Sequence, residues 1–214
     1  MDPVHFVRSN TTIEAPPLVP EIRLHLATEI TPIWQASEET LARAEVPPPF
    51  WAFAWAGGQA LARFLLDHPQ LVDGISLLDF GAGSGLVAIA AKKAGAAHVV
   101  AAEIDHFAAA AIALNAALND VSIAISTADP IDEPDRAWTM VTAGDVCYER
   151  DMAERAVAWL RGLARRGAHV FLGDPGRAYL PRQGLCERAR YLVPTSREIE
   201  DRDSREGSVF EILP

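Results

Sequence analysis

Leu77-Leu78-Asp79-Phe80-Gly81-Ala82-Gly83-Ser84-Gly85-Leu86 joins an apolar run to a helical one through a turn built of small residues. Glycine lets the backbone come close to a ligand, and the helix that follows directs its free N–H groups into the turn. The string reads as strand, cradle and helix. A dinucleotide fingerprint, G-x-G-x-x-G, would need its third small residue where Leu86 stands and would seat a pyrophosphate on the helix N-terminus. What stands is Asp79-x-Gly81-x-Gly83-x-Gly85, an acid at the strand end followed by alternate glycines.

Downstream, from Ile75 onward, short apolar runs alternate with Ala-rich helical stretches. That is the pattern of strand–helix units in a doubly wound, mostly parallel sheet. Strands are expected at 76–80, 98–103, 122–126, 140–144 and 169–173, and helices at 85–94, 107–119, 151–164 and 182–190. Residues 127–137 are too rich in Pro and Asp for a full helix, so one crossover shrinks to a loop. Residues 190–199 and 208–213 flank a polar connector and read as a terminal antiparallel hairpin. Upstream, Gly57-Gly58 opens a helix over 59–67, whose Leu61, Phe64 and Leu65 fall at helical spacing. Residues 38–45 read as one or two helical turns stopped by Pro47-Pro48-Pro49. The alternation over 21–28 fits a short strand able to start an appended hairpin. Residues 1–20, with Pro3, Pro16, Pro17 and Pro20, read as an extended arm. The expected organisation is an N-terminal arm over 1–45 packed on a single domain over 46–214.

Composition narrows the function classes. With 214 residues, 50% of them hydrophobic, the chain fills one core. A net charge of −10 disfavours a generic nucleic-acid binder, which needs a concentrated basic surface, and suits a basic protein substrate better. Cys147 and Cys186 are the only cysteines, too few for a disulfide framework and without zinc-ligand spacing, so no metal is expected. The start Met1-Asp2-Pro3-Val4-His5 has no leader character and no apolar run reaches membrane length, so a cytoplasmic, membrane-free protein is expected, with a monomer favoured.

In a doubly wound sheet the ligand lies outside the carboxyl ends of the strands, so residues there carry the chemistry. Glu103, roughly 20 residues beyond the glycine turn, stands where an acid reaches ribose hydroxyls; its alternative is a solvated strand-end acid. Asp105 can cap the next helix. Asp129 is either an acceptor at an adenine amine or the turn initiator of Asp129-Pro130. After the fourth strand, Asp145-Val146-Cys147-Tyr148 puts an acid and a phenol three apart in a loop, able to converge on one amine. Phe50-Trp51-Ala52-Phe53-Ala54-Trp55-Ala56-Gly57-Gly58 packs aromatics ahead of a glycine pair, a density beyond ordinary core filling. Cys147 reads as a small filler, Trp51 as packing, and Arg177 as either a reader of protein substrate or a member of the Asp174-Pro175-Gly176 turn.

These strings carry a resemblance. Asp79-x-Gly81-x-Gly83-x-Gly85 resembles motif I of the class I S-adenosylmethionine-dependent methyltransferases, in which the turn packs on the methionine part of the cofactor. Asp145-x-x-Tyr148 is similar to the D-x-x-Y motif of the seven-β-strand family 16 lysine methyltransferases. The aromatic-Gly-Gly string and Gly173-Asp174-Pro175-Gly176-Arg177 resemble the electron transfer flavoprotein β-subunit lysine methyltransferases in their bacterial form. The resemblance implies the seven-stranded Rossmann-like methyltransferase fold, S-adenosyl-L-methionine as cofactor with S-adenosyl-L-homocysteine as product, and the flavoprotein β subunit as protein partner. It implies Asp145 and Tyr148 as the substrate-orienting pair. Trp55, Gly57, Asp79, Gly81, Gly83, Gly85, Glu103, Ile104 and Asp129 form the implied cofactor set. Rival readings are a methyltransferase for a nicotinamide-like amine or a ribosomal protein, an NAD-binding oxidoreductase, and a non-catalytic binder.

Overall fold

Residues 2–28, 31, 47–132, 138–195 and 202–214 are described in the structure, a computed structural model. The repeating apolar runs form a seven-stranded sheet: β3 (Ser76–Phe80), β4 (His98–Ala102), β5 (Ala124–Ser126), β6 (Met140–Gly144), β7 (His169–Asp174), β8 (Leu185–Pro194) and β9 (Ser204–Ile212). Their order is β5-β4-β3-β6-β7-β9-β8; β5 through β7 run parallel, and β9 and β8 pair antiparallel. The strand order reverses between β3 and β6, which opens a crevice above their carboxyl ends.

Alternation along the strands divides the core. Leu77, Val99, Met140 and Phe171 face α2 (Ala56–Asp67), α3 (Leu86–Lys93) and Ile112 of α4 (His106–Leu118). Leu78, Val141, Val170 and Leu172 face the other way, onto Val157, Leu160 and Leu163 of α5 (Arg150–Arg165). Helix α5 has the strongest apolar stripe, with polar residues on its outer side; α4 is Ala-rich around its whole girth and lies close in.

The N-terminal segment departs from the extended arm expected of it. Pro3–Asn10 is a helix, α1, because Asp2 accepts a hydrogen bond from Val4 N at 3.2 Å and Pro3 fits the first helical turn. The prolines that suggested a loop include a helix starter. Strands β1 (Thr12–Glu14) and β2 (Leu24–Leu26) then pair antiparallel, a ribbon shorter than the alternation over 21–28. Asn115 and Asn119 of α4 hold it: Asn115 Oδ1 accepts from His25 N at 2.7 Å and Asn119 Oδ1 from Arg23 N at 3.0 Å. Asn115 Nδ2 also donates to Ser84 O at 2.8 Å, tying the ribbon's support to the glycine turn.

The expected helix over 182–190 is instead the start of β8. Gly184, with φ of +74°, turns the chain, and Leu185 onward alternates beside β9 with nine paired positions. Sheet pairing overrides the helical propensity of Glu187, Arg188 and Ala189. Helix α2 begins at Ala56, so Gly57 and Gly58 lie inside its first turn rather than before it. The turns expected over 38–45 lie outside the described residues, as do 196–201; the polar connector expected over 201–207 is shorter than that, since Ser204 to Gly207 already belong to β9, paired with 191–194 of β8.

Candidate active site

The crevice above β3 and β6 is a cavity of about 480 Å³, within the size range of small-molecule sites. Its floor is the turn between β3 and α3. Gly83 adopts φ of +52°, which a side chain would strain, and its N–H donates to Glu103 Oε2 at 2.9 Å. Gly81 and Gly83 line the cavity; Gly85 and Asp79 lie behind it. Asp79 is buried, with Oδ2 accepting from Ala88 N at 3.1 Å and Oδ1 from Thr142 Oγ1 at 2.8 Å. It thereby ties β3 to α3 and β6 and fixes the turn from beneath. Burial pushes its carboxyl up to about 7.

At the β4 end stand Glu103 and Ile104. The second Glu103 oxygen, Oε1, accepts from Asp105 N at 3.2 Å, so the carboxylate is fixed in place with lone pairs left over. Burial raises its pKa against the pull of the Asp105 and Gly83 N–H groups. Ile104 is 69% exposed, an apolar flap at the rim. Asp105 is the cap of α4, accepting from Phe107 N at 2.8 Å, and also borders the cavity. Farther out, Asp129 Oδ1 accepts from Ile131 N at 3.0 Å while Oδ2 pairs with Arg155 Nη1 at 2.7 Å. Asp129 thus initiates a turn and also borders the cavity.

The β6–β7 end is built differently. Asp145 holds φ of +55°, a left-handed backbone that a non-glycine residue adopts at a cost, with its N–H bonded to Gly173 O at 2.8 Å. That turn drives a buried carboxylate under the N-terminus of α2, where Gly58 N donates to Oδ2 at 2.8 Å. Arg177 donates to Oδ1 from Nη2 at 2.8 Å and from Nε at 3.1 Å. Burial, with Asp174 nearby, raises the Asp145 carboxyl to about 6 although Arg177 pulls it down. Gly57 explains the close approach: a Cβ there would lie 2.4 Å from Gly173 O and 2.6 Å from Asp145 Oδ2. Gly57 stands behind the wall and shapes it.

Aromatic side chains cover this end. Trp55 Nε1 donates to Phe50 O at 2.8 Å, and the Tyr148 ring, 49% exposed, lies 5.3 Å from that of Phe50. The Arg177 guanidinium sits 5.4 Å from the centroid of the Trp55 ring. Trp51 is buried in a cluster with Val7, Phe107 and Ala108, as expected of a packing residue, yet also borders the cavity. Cys147 is buried and its thiol is pushed up to about 12, as an inert filler would be.

The structure therefore gathers Trp55, Gly81, Gly83, Glu103, Ile104, Asp129, Asp145 and Tyr148 around one cavity and sets Gly57, Asp79 and Gly85 behind it. Phe50 and Arg177 are the residues that sequence reasoning undervalued. The signal for Arg177 was its turn: Asp174 Oδ1 accepts from the N–H groups of Gly176 and Arg177, both at 2.7 Å, which aims the side chain back at Asp145. The charges around the cavity are mostly carboxylates, and Arg155 and Arg177 are already paired. Such a set repels a pyrophosphate and suits a cationic, phosphate-free cofactor, while Glu103 matches a vicinal diol. Among the described residues no group of His, Cys, Asp and Glu is placed to hold a metal, and no helix is long and apolar enough to cross a membrane.

Known proteins resemble this chain at the level of family and fold. Residues 60–143 match the family model described as ribosomal protein L11 methyltransferase (PrmA). The chain is 35% identical over 218 residues, 99% of its own length and 87% of the relative's, to the electron transfer flavoprotein beta subunit lysine methyltransferase of Xenopus laevis. It is 34% identical to the mouse (Mus musculus) protein so named, over 98% of this chain and 84% of the relative. Among solved structures it shares the fold of magnesium protoporphyrin IX methyltransferase (ChlM) from Synechocystis PCC 6803 with bound SAM. The TM-score is 0.53 at 17% identity, covering 72% of this chain and 76% of that one.

Proposed function

Since the chain belongs to the electron transfer flavoprotein β-subunit lysine methyltransferase family, we propose that it methylates lysine ε-amines of an electron transfer flavoprotein β subunit with S-adenosylmethionine as donor. The observation that carries the reading is one cavity with a carboxylate held by two backbone N–H groups, Glu103, at one end and a buried, aromatic-walled carboxylate, Asp145, at the other.

Glu103 would hold the ribose hydroxyls, the backbone at Gly81 and Gly83 the methionine part, and Ile104 and the Asp129 turn the adenine. S-adenosylmethionine supplies an electrophilic methyl group on a positively charged sulfur. The chain's own task is alignment and exclusion of water, since an in-line displacement gains most from holding the partners in register. Phe50, Trp55 and Tyr148 line the channel by which an amine enters. The lone pair left on Asp145 Oδ2 accepts from its N–H, and the Tyr148 hydroxyl orients it from the rim. The incoming lysine must be neutral, and an apolar channel favours that form by desolvation.

The ribosomal-protein alternative draws on the family-model match, yet that match spans 60–143 and stops before Asp145. It covers the cofactor half and leaves out the segment 145–177 that faces the acceptor. The division proposed for the chain is an N-terminal extension over 1–45 and a single domain over 46–214, and what supports it is that α1 and the β1–β2 ribbon of the extension rest on α4. A cytoplasmic site of action is supported by two free cysteines, which suit a reducing compartment. The test is incubation with methyl-labelled cofactor in lysate of a strain lacking the enzyme. Label on the flavoprotein β subunit is expected; label on ribosomal protein instead would favour the alternative.

A further inference from the structure

Asp145 stands at the acceptor end of the cavity, but it does not meet an incoming lysine as a bare carboxylate. Its Oδ1 already receives two N–H groups of the Arg177 guanidinium and its Oδ2 receives Gly58 N. We infer that Arg177 is a positioning residue that selects the neutral form of the acceptor amine. Clamped between Asp145 and the Trp55 ring, its guanidinium cancels the charge by which Asp145 would otherwise hold the amine as an unreactive ammonium. This rests on the lysine-methylation reading above.

The geometry separates this role from a structural one. The turn that carries Arg177 is closed by Asp174, which accepts from both the Gly176 and Arg177 N–H groups, so the side chain is not needed to hold it. The side chain is largely covered, at 16% exposure against 8% for Asp145, so solvent screens the pair little. Trp55 is itself fixed through its bond to Phe50 O, so the cation has a rigid platform.

The chemistry requires such a device. The nitrogen lone pair forms the N–C bond while the C–S bond breaks and leaves its electron pair on sulfur; the surplus proton then leaves the nitrogen for solvent. An ammonium has no lone pair to give. A carboxylate alone beside the amine would favour the ammonium, whereas a carboxylate paired with a guanidinium makes a pair near neutral and still offers one acceptor lone pair, on Oδ2. The other groups acting on this end are Cys147, Tyr148 and Glu149 from the loop after β6, Asp174 from β7 with Arg205 of β9 acting on it, and Glu103 from beyond β4. Helix α2 presents the Gly58 N–H. Among the described residues Arg177 is the cation paired directly with Asp145.

The experiment is the pH profile of kcat for methylation of the purified β subunit by wild-type enzyme, Arg177→Met, Arg177→Lys and the double variant Asp145→Asn/Arg177→Met. S-adenosylhomocysteine affinity is measured alongside. In Arg177→Met the acid limb is expected to move up by about one pH unit, making transfer about tenfold slower below it, with little change on the alkaline plateau. Arg177→Lys should keep the wild-type limb; the double variant, although much slower at every pH because it lacks Asp145, should have the position of its limb return toward wild type; and cofactor-product affinity should stay unchanged in both single variants. A uniform loss at all pH values in Arg177→Met, or a double variant as displaced as the single one, would overturn the inference. So would a parallel loss of S-adenosylhomocysteine affinity. A wild-type enzyme that transfers no methyl to lysine removes the underlying reading instead, and is told apart by the wild-type trace alone.

Discussion

Replacing Glu103 with Ala removes one carboxylate whose geometry is fully specified. Its two oxygens are fixed by Gly83 N at 2.9 Å and Asp105 N at 3.2 Å, and the side chain lines the cavity with acceptor capacity to spare. Two hydrogen bonds from a diol to a charged acceptor are each worth about 1.5–3 kcal/mol. Burial opposes this by raising the carboxyl pKa, so the low end applies. The loss is then about 3 kcal/mol, or on the order of 100-fold in dissociation constant. Calorimetry with S-adenosylhomocysteine measures it directly. Glu103→Gln separates charge from shape, because it keeps one acceptor oxygen but sets an amide donor against one of two backbone donors; it should lose nearly as much. Wild-type affinity should also fall as pH drops through the raised pKa, when the carboxylate takes up a proton. An unchanged dissociation constant in Glu103→Ala would refute the ribose assignment.

Three further perturbations follow from the same geometry. The buried Asp79 carboxyl, raised to about 7, contributes stability that is fully present below its unfolded pKa and is lost as pH rises through about 7; that amounts to about 4 kcal/mol between the two limits. Denaturant titrations across this range should show a shallower pH slope for Asp79→Asn, and identical slopes would count against it. Gly57→Ala forces a Cβ to within 2.4 Å of Gly173 O, so the α2–β7 contact must open, at a cost of about 1–3 kcal/mol. Transfer should suffer more than cofactor binding, and a variant with wild-type melting temperature and turnover would contradict the packing argument. Asp145→Ala leaves Arg177 without its carboxylate and should reduce transfer at least a hundredfold while cofactor affinity holds; undiminished turnover would end its assignment.

Much of the site was legible because its residues signal locally. Alternate glycines after an acid, an acid one strand on, and an acid–tyrosine pair after the fourth strand all depend on strand–turn–helix geometry. The sequence encodes that geometry within a few residues. Asp79 and Gly85 were legible as parts of the turn but not as parts that stand behind it, since which face a residue presents depends on how α3 settles on the sheet. Arg177 was hidden for a different reason: its partner lies 32 positions away, and only the register of β6 on β7 brings Asp145 and the Asp174 turn together. The helix expected at 182–190 failed because propensity is a local quantity, whereas strand β8 is defined by its partner β9. At α1, Asp2-Pro3 is a helix-start signal that the density of later prolines obscured.

In the proposed reaction this cavity joins a methyl donor, held by its diol, to a neutral lysine presented by a flavoprotein subunit. The most direct test is intact-mass analysis of purified electron transfer flavoprotein β subunit after incubation with the enzyme and S-adenosylmethionine, with ribosomal protein L11 as the parallel acceptor. Mass increments of whole methyl groups are expected on the flavoprotein subunit, mapped by peptide sequencing to lysine and lost with Asp145→Ala. An unmodified flavoprotein subunit beside a methylated L11, or increments that survive in Asp145→Ala, would contradict this reading.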